Sequence, residues 1–298
     1  MSDLAASGTN ARPGMIRRML TVLRDMASSP SGLIGLALVA THLVMALISP
    51  WIVPYDFRAM NSSMVLTGPS GAHWLGTDQL GRDVFTRVLM GGREALVVTG
   101  IATPFAMLWG GMTGILLGLA GGRLDEVMMR VVDAFLSLPW ILKLLVLVMT
   151  FGNGMMVIIP TLGFFYGIPV IRVARAATQG VVARDFVLAA KARGHSRLSI
   201  IRRELLPNVL DTLMVEGAMR WSWMLLAFSS LSFLGFGVSP PTPDWGLMIS
   251  ESRVYMPLSP WGVLGPMVAL SSLIIGINLS ADALAKAMGI DRARKAVV

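Results

Sequence analysis

Residues 33–53 run for 21 positions without an Asp, Glu, Lys or Arg, and that stretch limits the possible folds more than any other feature of the chain. About 20 apolar residues are enough for a helix to cross the hydrocarbon core of a bilayer. Inside that core the backbone must satisfy its own hydrogen bonds, which favours helices. Arg12, Arg17, Arg18 and Arg24 precede the run, as basic residues precede the core of a signal peptide. The run is longer than such a core, however, so it reads as an uncleaved first span. Five more apolar stretches follow at about residues 95–120, 131–150, 155–171, 212–236 and 261–279. Composition agrees: only 14% of residues are charged, against about 25% in soluble domains. The expectation is an all-α membrane protein with six transmembrane helices. Residues 33–282 would form one bundle between an N-terminal tail (1–32) and a C-terminal tail (283–298).

Basic residues orient the bundle. With the N-terminus inside, eighteen of the 25 Lys and Arg fall on the inner side and five on the outer, with Lys143 and Arg220 inside spans. Lys and Arg accumulate in cytoplasmic loops. Both termini and the basic segment 185–208 are therefore expected in the cytoplasm. The same rule accounts for the net charge of +8 without invoking nucleic acid. The chain has no Cys, which excludes disulfides, thiolate metal sites and Cys nucleophiles. His42, His73 and His195 are too far apart in sequence to form a ligand pair, so no metal site is expected.

Segment 185–208, DFVLAAKARGHSRLSIIRRELLPN, is polar between apolar neighbours. It reads as two short helices broken at Gly194, a residue able to end a helix where others are strained. Phe186, Ala189 and Ala190 share one face of the first helix. Ser196 is placed to cap a second helix whose apolar stripe is Leu198, Ile201 and Leu205. Pro207 is expected to close that helix, having no amide hydrogen. The result is an elbow, apolar on one side and cationic on the other, shaped to be gripped by another protein.

The run Ala189-Ala190, three residues, Gly194, then Leu206-Pro207 resembles the cytoplasmic "EAA" signature of bacterial ABC-importer permeases. It departs from that signature at Leu188, where Glu is common, and at Glu204, where Ile or His is usual. Two further blocks point to the subtype serving dipeptide, oligopeptide and nickel importers. Residues 73–96, HWLGTDQLGRDVFTRVLMGGREAL, read first as turns at Gly76-Thr77-Asp78 and Gly81-Arg82-Asp83. An amphipathic outer helix with Val84, Val88 and Leu89 on its apolar side is expected to follow. This block is similar to the subtype's H-x-LGTD-x-x-GRD element. Residues 231–249, LSFLGFGVSPPTPDWGLMI, read as a Pro-rich outer turn and are similar to its LSFLGxGxxPPxPxWG element, with Pro241, Trp245 and Gly246 in place.

The resemblance implies a type I permease bundle with a coupling-helix elbow in the bacterial inner membrane. Ala189, Ala190, Gly194, Leu198, Ile201, Leu205 and Pro207 would couple it to the ATPases. It also implies partners: a second, homologous permease chain, two cytoplasmic ATPases, and a periplasmic or extracellular solute-binding protein, all within membrane lipid. No G-x-x-x-x-G-K-[ST] loop occurs, so this chain is not the ATPase. ATP would be used by the partners, and no cofactor is expected on this chain.

Charges inside spans are costly, about 2.5–3.5 kcal/mol each at the bilayer centre. Glu216 and Arg220, four apart, are placed to pair along one helix face. Two readings of Lys143, Glu216 and Arg220 stand side by side: an aqueous translocation path, or structural partners between helices. Rival functions are a nickel-chelate or opine-type importer, a transporter working alone, and a membrane-embedded receptor or enzyme. The last lacks any paired carboxylate, His cluster or HExxH-like motif on a span.

Overall fold

The computed structural model describes residues 15–289. Among them the regular elements are helices, with one isolated bridge between Thr77 and Asp83 as the extended pairing. The helices are α1 (Met15–Ala27), α2 (Pro30–Ile52), α3 (Val84–Ala120), α4 (Gly122–Ser137), α5 (Trp140–Phe151), α6 (Met155–Val182), α7 (Asp185–Ala192), α8 (Arg197–Ile200), α9 (Leu206–Phe233), α10 (Trp245–Ser252) and α11 (Trp261–Ala287). Part of the expected N-terminal tail is thus helical. α1 is separated from α2 by Ser28 and Ser29, and the Ser29 hydroxyl accepts the Gly32 amide at 3.1 Å to cap α2.

α2, α3, α6 and α11 are long and apolar enough to cross a membrane, and α4 with α5 adds a fifth crossing if the two are one broken span. α9 is as long as α6, at 28 residues each, and carries Glu216 and Arg220. The expected third span is not a straight helix: α4 and α5 meet at 83°. Pro139 is the cause. It has no amide hydrogen to give the Phe135 carbonyl four residues back. The Lys143 ammonium donates to that carbonyl instead, at 2.8 Å.

Span two also departs from expectation. No separate amphipathic helix precedes it, because residues 84–120 form a single 37-residue helix. Asp83 caps it by accepting the Thr86 amide at 2.7 Å. Val84 is fully buried, and Val88 and Leu89 are half-buried.

α3 and α6 make the most extensive helix pair, and small residues allow it. A Cβ added to Gly114 would lie 2.6 Å from that of Ala174, and one on Gly118 would lie 2.8 Å from that of Thr178. Such close approach lets backbones pack by dispersion where lipid offers no hydrophobic drive. The main core then joins Ala95, Val98, Ala102 and Ala106 of α3 to Met224, Phe228 and Leu231 of α9 and to Leu273 and Ile277 of α11. α2 lies on α11, where His42 Nε2 and the Ser272 hydroxyl are 2.9 Å apart. His42 is therefore a partnered polar group within the bundle.

Candidate functional site

At one end of the bundle, α7 and α8 form the elbow. α7 ends in a two-bond turn: the Gly194 amide donates to the Lys191 carbonyl (2.9 Å) and the His195 amide to the Ala190 carbonyl (3.1 Å). This is the pattern of a helix ended by a left-handed residue, and Gly194 has φ +78°. Ser196 caps α8, its hydroxyl accepting the Ser199 amide at 3.3 Å.

The next turn departs from expectation. Residues Ile201–Leu205 form a π turn that runs straight into α9. Pro207 therefore sits in the first turn of α9 and does not close a helix. A π turn is bonded i→i+5, and the wider ladder tolerates a residue lacking an amide hydrogen.

The apolar stripe also differs from expectation. A seam through the π turn steps by four residues, Ile201, Leu205, Val209, and all three are buried. Leu198, on α8 before the π turn, lies about 200° round the helix from buried Ile200 and is 64% exposed. On α7 the buried positions are Val187 and Ala190, while Phe186, Leu188 and Ala189 are exposed. Ala190, Ile201 and Leu205 thus do not form an outward surface. They join Val187 and Ile200 in a core with Ala174 and Val181 of α6 and Ile115 of α3. The outward surface is Phe186, Leu188, Ala189 and Leu198, with Lys191, Arg193 and Arg197 exposed around them.

At the opposite end, the blocks 73–83 and 241–246 fold into one cap. Asp78 accepts from Arg82 Nε at 2.6 Å, and Arg82 Nη2 reaches Glu251 at 3.0 Å. Arg87 Nε is 3.7 Å from Asp78, and its Nη1 donates to the carbonyls of Phe57 and Pro241 at 3.3 Å each. Arg82 and Arg87 are 2% and 1% exposed, so two buried guanidiniums are neutralised by buried Asp78 and by Glu251 at the edge of the cap, its side chain 25% exposed. His73 Nδ1 and Asp83 are 2.8 Å apart. Thr77 donates its hydroxyl to the Met64 carbonyl. Gly76 and Gly81 both lie at positive φ, and a side chain on Gly81 would collide with the Asn61 carbonyl. Trp245 donates to the Val88 carbonyl at 2.8 Å, and its indole lies against Gly91. Gly246 lies against the Ser229 carbonyl. Asp244 is fully buried and caps α10 by accepting the Leu247 amide at 3.1 Å. Burial pushes its carboxyl up to about 6, against the opposing pull of the Leu247 amide, the Ser232 hydroxyl and the Gly246 amide.

The three charges expected inside spans do not meet in one cluster. Arg220 Nε donates to Glu216 at 2.6 Å within α9. Lys143, besides capping α4, lies 5.3 Å from the centre of the Phe165 ring. It lines an apolar hollow of about 320 Å³ with Leu138, Leu142 and Val146.

Residues 110–290 match the family described as the binding-protein-dependent transport system inner membrane component. The chain belongs to this family. Among relatives of this permease component, the dipeptide transport system permease protein DppC of Alkalihalophilus pseudofirmus is 30% identical over 266 residues, covering 89% of this chain and 87% of that one. The glutathione transport system permease protein GsiD of Pectobacterium atrosepticum is 32% identical, over 89% of this chain and 87% of its own. The nickel transport system permease protein NikC of Escherichia coli K12 is 32% identical, over 84% and 91%. The chain is a multi-pass permease of the peptide-type ABC-importer family.

Two arrangements in this permease were not legible in the sequence. Glu251 lies 169 residues from Arg82, and no local pattern marks it. Asp125 on α4 is gripped by Arg175 on α6 across 50 residues, and neither residue stands in a segment that reads as a motif.

Proposed function

We propose that this permease is half of the pore of a heteromeric ABC importer for peptides or peptide-like compounds. A second, homologous permease chain completes the pore. Two cytoplasmic ATPases engage the elbows, and an outer solute-binding protein delivers the cargo. The chain crosses the inner membrane six times, counting α9 and the broken α4–α5 pair, with both termini and the elbow in the cytoplasm. It binds no cofactor of its own, and ATP is used by the partners.

The observation that carries this reading is the division of the elbow. One side is fused to α6 and α3 through Val187, Ala190, Ile201 and Leu205. The other presents Phe186, Leu188, Ala189 and Leu198 inside a basic rim. ATP-driven movement does work on a pore only through a contact rigid on the pore side and adhesive on the ATPase side, and the elbow's buried face and exposed apolar patch support that division. Leu198→Asp is expected to lose ATPase co-purification and uptake while the permease still inserts. Full retention of both would sink the assignment.

The resemblance to the nickel permease NikC supports a second cargo, a nickel chelate. Uptake by the reconstituted importer decides between them. Transport of a labelled dipeptide, with none of a nickel complex, supports the first reading, and the reverse result supports the second.

A further inference from the structure

Of the 16 residues of α4, Asp125 and Val132 are the buried ones. Val132 enters an apolar cluster with Leu117, Ile168 and Ile171. Asp125 holds the other end of the helix: its two carboxylate oxygens receive Nε and Nη2 of Arg175 at 2.5 Å each. The Asp125 side chain is 7% exposed and that of Arg175 is 27% exposed. A second pair between the same helices, Arg172 with Asp133 at 3.4 Å, is more than half exposed on both sides and so holds weakly. These charges line a groove of about 590 Å³ between α4 and α6. Because its charges are already paired with one another, the groove reads as a joint between helices and not as a ligand site.

What lies on each side of that joint gives it a direction. Arg175 follows Ala174, which shares an apolar core with Val181 and with the elbow residues Val187, Ala190 and Leu205. The Arg175 end of the joint therefore stands on the helix packed against the elbow. Asp125 stands in the first turn of α4, the helix that breaks by 83° into α5. The break itself is bridged by a long, flexible Lys143 side chain on the Phe135 carbonyl.

We infer that the Asp125–Arg175 pair is the joint that carries elbow movement into the broken α4–α5 pair, so that both residues are positioning residues for transport. This rests on the proposed coupling of the elbow to the ATPases. A bidentate Arg–carboxylate fork fixes orientation as well as distance, which a joint transmitting rotation needs.

The test uses the assembled importer in lipid vesicles, with a single Cys placed at Met149, an exposed α5 position in a chain without native Cys. Its reactivity toward a maleimide is compared without nucleotide and after trapping with MgATP and vanadate. The unmutated complex should show a several-fold change. Asp125→Asn should abolish that change and lower uptake at least tenfold, while the ATPases still co-purify and hydrolyse ATP. The exchange of Asp125→Arg with Arg175→Asp should restore a large part of both. ATPase co-purification at the unmutated yield is the control for folding. The joint is refuted if Asp125→Asn keeps the nucleotide-dependent change, or if the unmutated complex shows none with ATPases bound. Undiminished ATPase binding by Leu198→Asp would instead sink the elbow reading, whereas a retained nucleotide-dependent change in Asp125→Asn, with Leu198→Asp losing the ATPases, sinks the joint alone.

Discussion

At Asp244 a carboxylate caps α10 with no exposure to water, and burial pushes it up from 3.8 to about 6. The folded state therefore holds this proton more tightly than the unfolded state does. The stabilisation from this group is complete below about 3.8 and is lost as pH rises through about 6. One pH unit between folded and unfolded titration is worth about 1.4 kcal/mol. Asp244→Asn keeps a good capping residue but cannot ionise. In detergent or nanodiscs, the unfolding temperature of the unmutated protein should fall more steeply between about pH 4 and pH 6 than that of Asp244→Asn. Parallel curves would show that Asp244 does not set the slope. Glu251 poses the converse case, a charge that must stay. Its carboxylate serves Arg82 and stands 3.9 Å from Arg87. Removing Glu251 leaves two buried guanidiniums with Asp78 as their remaining carboxylate, which destabilises the cap. Glu251→Gln should therefore unfold the cap early, read as protease cleavage in the 54–83 loop at a temperature where the unmutated loop resists.

Among the elements, the elbow separates what local sequence reports from what it hides. The helix end at Gly194 and the cap at Ser196 depend on neighbours within five residues, so both were legible. Gly194→Val places a β-branched side chain at φ +78° with open space around it. The penalty there is backbone strain, not collision. The variant should assemble in the bilayer yet hydrolyse ATP without uptake in vesicles, and normal uptake with bound ATPases would remove Gly194 from the coupling role. The stripe through Leu198 was misplaced because spacing gives a face but not which face packs: with Ile200 and Ile201 turned inward, Leu198, about 200° round the helix from Ile200, faces outward. This gives Leu198 and Leu205 opposite expected phenotypes. Leu205→Ala opens a hole in a core and should cost about 2–5 kcal/mol, seen as a lower unfolding temperature. Leu198→Asp should leave that temperature unchanged while ATPase binding fails. The break at Pro139 was half legible: the proline is plain in the sequence, but the 83° angle depends on what α6 offers α4 to pack against.

For the whole molecule, apolar runs of membrane length were the clearest message of the sequence, because the bilayer penalises charge locally and needs no knowledge of partners. Long-range pairings such as Arg82 with Glu251 and Asp125 with Arg175 were not legible, since nothing near either residue fixes the other. Orientation is the property of the whole chain that tests the proposed function most directly, because an elbow on the outer side could never meet an ATPase. Eighteen Lys and Arg lie toward the termini and elbow against five on the other side, and retention of positive charge in the cytoplasm predicts which way the bundle inserts. The absence of native Cys permits a clean measurement, with one Cys introduced at Ser62 or at Ser196, both exposed. In spheroplasts, an impermeant maleimide should label the Ser62 position and leave Ser196 unlabelled. In inside-out vesicles the pattern should invert, and detergent should expose both, showing that protection came from the membrane and not from folding. Labelling of Ser196 in spheroplasts would turn the bundle over. It would put the basic rim of Lys191, Arg193 and Arg197 outside the cell, and with it any role in gripping a cytoplasmic ATPase.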